Sequence, residues 1–124
     1  MIYFRVIKSI IFAELKTHDM KNNDEIVTLI KETAHESLPD AIVLLFGSHA
    51  RDNASAESDY DILLIINTEL SPKEKLPLRT SIRKSLLSIG IRSDILIQSK
   101  TEMEKKKKLP GHIVQKILRE AILL

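Results

Sequence analysis

Asp59 and Asp61 stand two residues apart at the head of an apolar run, Ile62 to Ile66. On an extended strand, residues two apart leave the same face. Two carboxylates held close repel each other and resist joint ionisation. A divalent cation reverses that cost. Mg²⁺ takes oxygen ligands and usually keeps water and substrate phosphates in its shell. Two such ions, about 3.5–4 Å apart, can clamp the attacking and leaving oxygens of a phosphoryl transfer. Asp94, on a later alternating segment, can supply a third carboxylate if the strand register brings it alongside. The plainer alternative stays open on residue types alone: Asp59 in a loop, Asp61 at a strand edge, Asp94 on a solvated face.

Separated from Asp59 by ten residues stands Gly47-Ser48, where another apolar run, Ala41 to Phe46, stops. A glycine lets a phosphate approach the backbone. The turn after it presents free amide hydrogens, and a helix start favours negative charge. Ser48 adds a hydroxyl. Gly-Ser between a strand and a helix is common, so this signal is weak by itself. Arg51 has two equal readings: neutralising phosphate charge, or making a surface salt bridge from a short helix.

The elements that must hold these residues follow from periodicity. Asn23-Asp24 can cap a helix to about Leu38, with Ile26, Ile30, Ala34 and Leu38 on one stripe, and Pro39 ends it. Residues 41–46 are a continuous apolar run of strand length, as expected of a strand buried on both faces, and 60–66 reads as the second buried strand. Gly47 breaks the first, Ser48 can cap a short helical turn through Arg51, and 52–58 reads as a polar loop. Ser71-Pro72 opens a polar stretch, and Pro77 falls near the start of a helix bearing Leu78, Ile82, Leu86 and Ile89, which Gly90 terminates. Residues 91–97 alternate as a third strand. Lys105 to Lys108 reads as a solvated loop. A last helix then carries Ile113, Val114, Ile117, Leu118, Ala121 and Ile122 on one broad face. This order predicts a small α/β domain of two or three layers.

Bulk properties bound the possibilities. A chain of 124 residues suits one core, and 44% apolar residues is ordinary for a soluble domain. Cysteine is absent, which removes disulfides and thiolate metal sites. The net charge of +2, from 19 basic and 17 acidic residues, does not argue for nucleic acid. The N-terminal MIYFRVIKSIIFAELK is too short and too charged for a membrane span and lacks the order of a secretory signal. A cytoplasmic location is the expectation. Residues 1–19 are expected to be an extension, helical if ordered, before a domain of residues 20–124.

With the elements placed, the stretch GSHARDNASAESDYDILLI, Gly47 to Ile65, resembles the signature of the minimal nucleotidyltransferases of the DNA polymerase beta-like superfamily. That pattern runs Gly-Ser-x-Ala-Arg-Gly, a short loop, Ser-Asp-x-Asp, then apolar residues. Gly47, Ser48, Ala50, Arg51, Ala54, Ser58, Asp59 and Asp61 match it with unbroken spacing. The likeness reaches from about Asn23 to Leu124, and PGHIVQKILREAILL, Pro110 to Leu124, is similar to the tail of the MNT antitoxins of HEPN/MNT toxin–antitoxin pairs. Asp52 departs from the pattern, which usually has glycine there, and His49 stands where arginine is frequent.

The resemblance implies a polymerase beta-like palm with a mixed sheet of three to four strands. It implies transfer of AMP from ATP to a hydroxyl, with two Mg²⁺ ions. Asp59, Asp61 and Asp94 would be the catalytic and metal-holding residues, and Gly47, Ser48 and Arg51 the nucleotide-binding ones. The implied partner is an HEPN-domain toxin, adenylylated on a tyrosine and thereby silenced. A binding module with weak or lost catalysis is the alternative, and transfer to a small molecule ranks below both. The four histidines show no zinc-ligand spacing, although His49 lies close enough to be a nucleotide contact. His35 is expected on the polar side of its helix, His112 near a helix start, and Tyr60 on the strand face away from the aspartates. Residues 100–124 hold six lysines and one arginine against three glutamates. Without interleaved aromatics this favours a protein partner or plain solvation over RNA. The apolar terminus also allows a homodimer.

Overall fold

The computed structural model describes residues 24–51, 53–55 and 58–124. The expected extension at residues 1–19 and the departure at Asp52 lie outside them. Helix α1 is Asp24–Ser37, β1 Ile42–Phe46, α2 Gly47–Ala50, β2 Tyr60–Ile66, α3 Pro72–Ser88, β3 Ser93–Ser99, α4 Lys100–Lys107, α5 Ile113–Glu120 and β4 Ile122–Leu123.

The four strands form one mixed sheet in the order β3-β2-β1-β4. The β1–β2 and β1–β4 pairs are antiparallel, while β2–β3 is parallel. Strand β2 is therefore flanked on both edges, and helices cover both faces. This explains the apolar run Ile62 to Ile66, which meets water on neither face. One face sends Val43, Leu45, Ile62, Leu64, Ile95 and Ile97 against Ile30 and Ala34 of α1 and Ile82 and Leu86 of α3. The other sends Ile42, Leu44, Leu63 and Ile65 against Met103 of α4 and Val114, Ile117 and Leu118 of α5. The result is the three-layer α/β arrangement expected of a polymerase beta-like palm.

The stripe on α1 is seated as its spacing predicts, with Ile30 and Ala34 buried and Ile26, Leu29 and Leu38 packed beside them. His35 does not face water as expected. Its Nε2–H donates to the Ala41 carbonyl at 2.9 Å, tying the helix to the chain entering β1. His112 caps α5: its Nδ1 accepts from the Val114 amide at 3.1 Å.

Four boundaries differ from the sequence reading. Helix α3 starts at Pro72, not near Pro77, because Ser71 and Glu74 form a reciprocal capping box. Strand β3 begins two residues later than its alternation suggested, at Ser93. The lysine run is helical. Ser99 and Glu102 make a second capping box, and Lys105, Lys106 and Lys107 sit in the last turn, where a helix favours cations. The final apolar run is a helix only as far as Glu120. Ala121 turns extended (φ −69, ψ 148), and Ile122 and Leu123 pair with Leu45 and Leu44 of β1. A buried helix end and a short buried strand share the same composition, so periodicity could not separate them.

Pro77 lies inside α3 on its exposed side and cannot donate to the carbonyl one turn back. Replacement by alanine restores that bond, partly offset by a freer unfolded chain. We expect Pro77→Ala to stabilise by about 1 kcal/mol, raising Tm by roughly 4–8 °C in thermal unfolding followed by circular dichroism. An unchanged or lower Tm would show that the helix gains nothing from the restored bond.

Candidate active site

The site is built where β1 gives way to α2. Gly47 has φ +74, a left-handed conformation that side chains rarely adopt. It also packs against Asp61 so closely that a Cβ there would overlap the carboxylate Oδ2. Backbone conformation and close approach thus both require glycine. The turn that follows closes by Arg51 N–H donating to the Gly47 carbonyl at 3.0 Å.

Strand register places the carboxylates. Phe46 is paired with Asp61 across β1–β2, and Asp61 with Asp94 across β2–β3. Paired residues share a face, so the two aspartates leave the sheet side by side, toward the layer of α4 and α5. Burial first, then the charges of Asp94 and Asp59, push the Asp61 carboxyl above its ordinary range, while His49 and Arg51 pull it down. The arrangement raises the energy of its own anionic form, a cost that a bound cation would relieve.

Asp59 behaves differently. It precedes β2, is half exposed, and its Oδ1 lies 3.5 Å from the Arg92 Nε. Among the described residues, no group of three or more His, Cys, Asp or Glu side chains is poised to hold a metal ion. The pair that fits a hard cation is Asp61 and Asp94, and Asp59 stands beside it facing Arg92.

The loop between turn and strand is pinned by His49. Its Nε2–H donates to the Ser58 carbonyl at 2.9 Å, and its ring stacks on Tyr60 with centroids 3.6 Å apart. Tyr60 faces the α1–α3 side and belongs to the core there, as its position between the aspartates predicts. His49 is therefore engaged in holding the loop rather than directed at a ligand. Ser55 N–H also donates to the Ser58 Oγ at 3.0 Å, closing the loop's far end.

A cavity of about 550 Å³ opens over the carboxylate pair. Its floor is Phe46, Asp61, Asp94 and Leu96, and one wall is Gly47, Ser48 and Arg51. Ile113, Lys116, Ile117 and Glu120 of α5 form another wall, and Arg79 of α3 completes the lining. Arg51 combines both sequence readings in position: it lines the cavity and donates from Nη1 to Glu120 Oε2 at 2.6 Å. Arg79, Lys116 and Glu120 escaped the sequence reading. Ile113, Lys116, Ile117 and Glu120 do have the spacing of one helix face. Nothing in the sequence said which wall that face would form.

The profile of the family described as "Polymerase beta, Nucleotidyltransferase" matches residues 28–124, well over half of the chain. The chain belongs to this family. Several solved structures share the nucleotidyltransferase fold. A candidate nucleotidyltransferase from Sulfolobus solfataricus aligns over 80% of this chain and 76% of its own, at 20% identity and TM-score 0.54. A second candidate nucleotidyltransferase aligns over 79% and 96%, at 21% identity and TM-score 0.55. A chain from a crystal structure of a toxin–antitoxin with AMP-PNP aligns over 82% and 71%, at 17% identity and TM-score 0.51. At these identities the likeness is one of fold. No curated protein matches the chain. Among the described residues, no helix is long and apolar enough to cross a membrane.

The raised Asp61 carboxyl makes a signed prediction for this family member. Its native form keeps a proton at pH values where the unfolded chain has lost it. Stability from this group therefore increases as pH falls through the folded pKa toward the unfolded one. In metal-free buffer, Asp61→Asn should melt higher than the parent at neutral pH, and the gap should close as pH falls toward the ordinary carboxylate range. A gap constant with pH, measured in parallel thermal melts, would show that charge repulsion is not its source.

Proposed function

We propose that the protein transfers AMP from ATP to a hydroxyl of a partner protein, a tyrosine of an HEPN-domain toxin, and thereby silences it. The catalytic unit is residues 20–124, with 1–19 as an extension. The observation that carries the reading is the in-register pair Asp61 and Asp94, set against Gly47 beneath a cavity of about 550 Å³. The family match supports the reaction class. The structural relative with AMP-PNP, a toxin–antitoxin, supports the nucleotide and the kind of partner.

Each residue then has a task. Asp61 and Asp94 would hold magnesium, with Asp59, which now faces Arg92, as the third carboxylate available to it. Bound Mg²⁺ would gather the triphosphate and spread its charge. The backbone at Gly47 and Ser48, with the Ser48 hydroxyl, receives phosphate oxygens. Asp94 orients the acceptor hydroxyl and takes its proton as the hydroxyl oxygen bonds to the α-phosphorus. The α–β anhydride bond breaks, and pyrophosphate leaves with the electron pair. The packed strands beneath hold these groups in line, which is where positioning gains its rate.

A second reading has one observation in its favour. The Asp59–Arg92 contact leaves no three-carboxylate group among the described residues. A protein that had lost metal binding could still neutralise a toxin by contact. Incubation with the cognate partner, radiolabelled ATP and Mg²⁺ separates the two. We expect label on the partner with the parent protein, and a loss on the order of 100-fold or more with Asp61→Asn or Asp94→Asn. Absence of label from the parent protein, with a partner shown to be active, would end the transferase reading. Toxin neutralisation that survives Asp59→Asn and Asp61→Asn together would establish contact as sufficient.

A further inference from the structure

Arg51 is the cation that belongs to the Gly-Ser turn, yet its guanidinium is already held. It donates to Glu120 at 2.6 Å, and the Glu120 side chain is only 16% exposed. Any phosphate reaching Arg51 must compete with a carboxylate that is already in place and largely shielded from water. A charge-assisted bond of this kind is among the stronger ones a side chain makes.

The cavity holds two further cations in a different state. Arg79 is half-buried on α3, one turn after Lys75. Lys75 is engaged by Glu102 at 2.8 Å, whereas Arg79 has no ion-pair partner among the described residues. Lys116 lies at the mouth on α5, between Ile113 and Glu120 on the face that forms the wall, and it too has no such partner there. With Arg51 and Glu120 neutralising each other, the cavity retains two anions, Asp61 and Asp94, and two cations, Arg79 and Lys116. A ligand that satisfies both halves carries a cation and several negative charges together, as a magnesium-bound polyphosphate does. Guanidinium forks match phosphate oxygens, and an ammonium serves as a mobile point charge.

We infer that Arg79 and Lys116, from outside the sequence motif, grip the outer phosphates of the nucleotide, while Arg51 is a positioning residue that anchors α5 through Glu120. This rests on the nucleotidyltransferase reading above. The two carboxylates take the metal, and the two cations reach beyond it to the phosphates that leave.

Titration calorimetry with AMP-PNP and Mg²⁺, and separately with AMP, tests the assignment. Arg79→Gln should weaken AMP-PNP binding about 5–10-fold, and Lys116→Gln, at the exposed mouth, about 3–5-fold. Neither should change AMP affinity by more than about twofold, because AMP lacks the outer phosphates. Arg51→Gln should weaken AMP-PNP binding less than either. AMP-PNP affinity unchanged in Arg79→Gln or Lys116→Gln, an equal loss for AMP, or the largest loss in Arg51→Gln would overturn the inference while leaving the transferase reading intact. Failure of the parent protein to bind AMP-PNP at all would instead overturn that reading, and this inference with it.

Discussion

Two like charges forced side by side are the constraint on which the site depends. Asp61 and Asp94 are register partners on parallel strands and cannot turn to opposite faces without a slip of the whole ladder. Repulsion between half-exposed carboxylates is a few kcal/mol at most, roughly 4 kcal/mol even at close range near a surface. Against it stand Ile62, Leu63, Leu64 and Ile65 in the same strand, each fully buried. Each such side chain contributes about 1.5–3 kcal/mol by leaving water. Packing wins, so the carboxylates stay together and the repulsion persists in the folded protein, where it helps raise the Asp61 carboxyl.

The same logic explains the turn. Phe46 ends β1 opposite Asp61, and the chain must leave the sheet without covering that carboxylate. Gly47 does so in a left-handed conformation with its bare Cα against the Asp61 oxygen. A larger residue would displace the acid or the turn. His49 then turns back to hold Ser58 and stack on Tyr60, so the loop returns the chain to β2 in the right register. His49 and Ser58 thus join the two ends of this segment.

Much of this was legible because it rests on local signals. The strand at 42–46 announced itself as an unbroken apolar run stopped by Gly47, and the one at 60–66 by Ile62 to Ile66 following the acidic pair. Asp61 and Asp94 were legible as candidates, but their adjacency was not, since register is a tertiary property. Asp59 illustrates the limit. Its spacing from Asp61 implied a shared face, yet it precedes the strand, and Arg92 engages its carboxylate. Residues 122–123 were lost for a different reason. A two-residue strand has no period, and its pairing depends on a free edge of β1 that no local pattern reveals. Arg79 and Lys116 were invisible because ordinary helix-surface cations acquire meaning only from the wall they form.

The C-terminal segment shows how one short stretch can satisfy three demands together. Val114, Ile117 and Leu118 bury one side of α5 against the sheet. The flank beside them, Ile113, Lys116 and Glu120, forms the cavity wall. Ala121, fully buried, then switches the backbone to extended so that Ile122 and Leu123 pair with β1. Strand β1 therefore holds the wall directly through β4, and also through the turn that follows it, where Arg51 meets Glu120. Arg51 is 41% exposed, and an ion pair so placed adds little to overall stability. Its consequence is geometric. It joins the last turn of α5 to the turn that starts at Gly47, a direct tie between the cavity wall and the segment packed on Asp61.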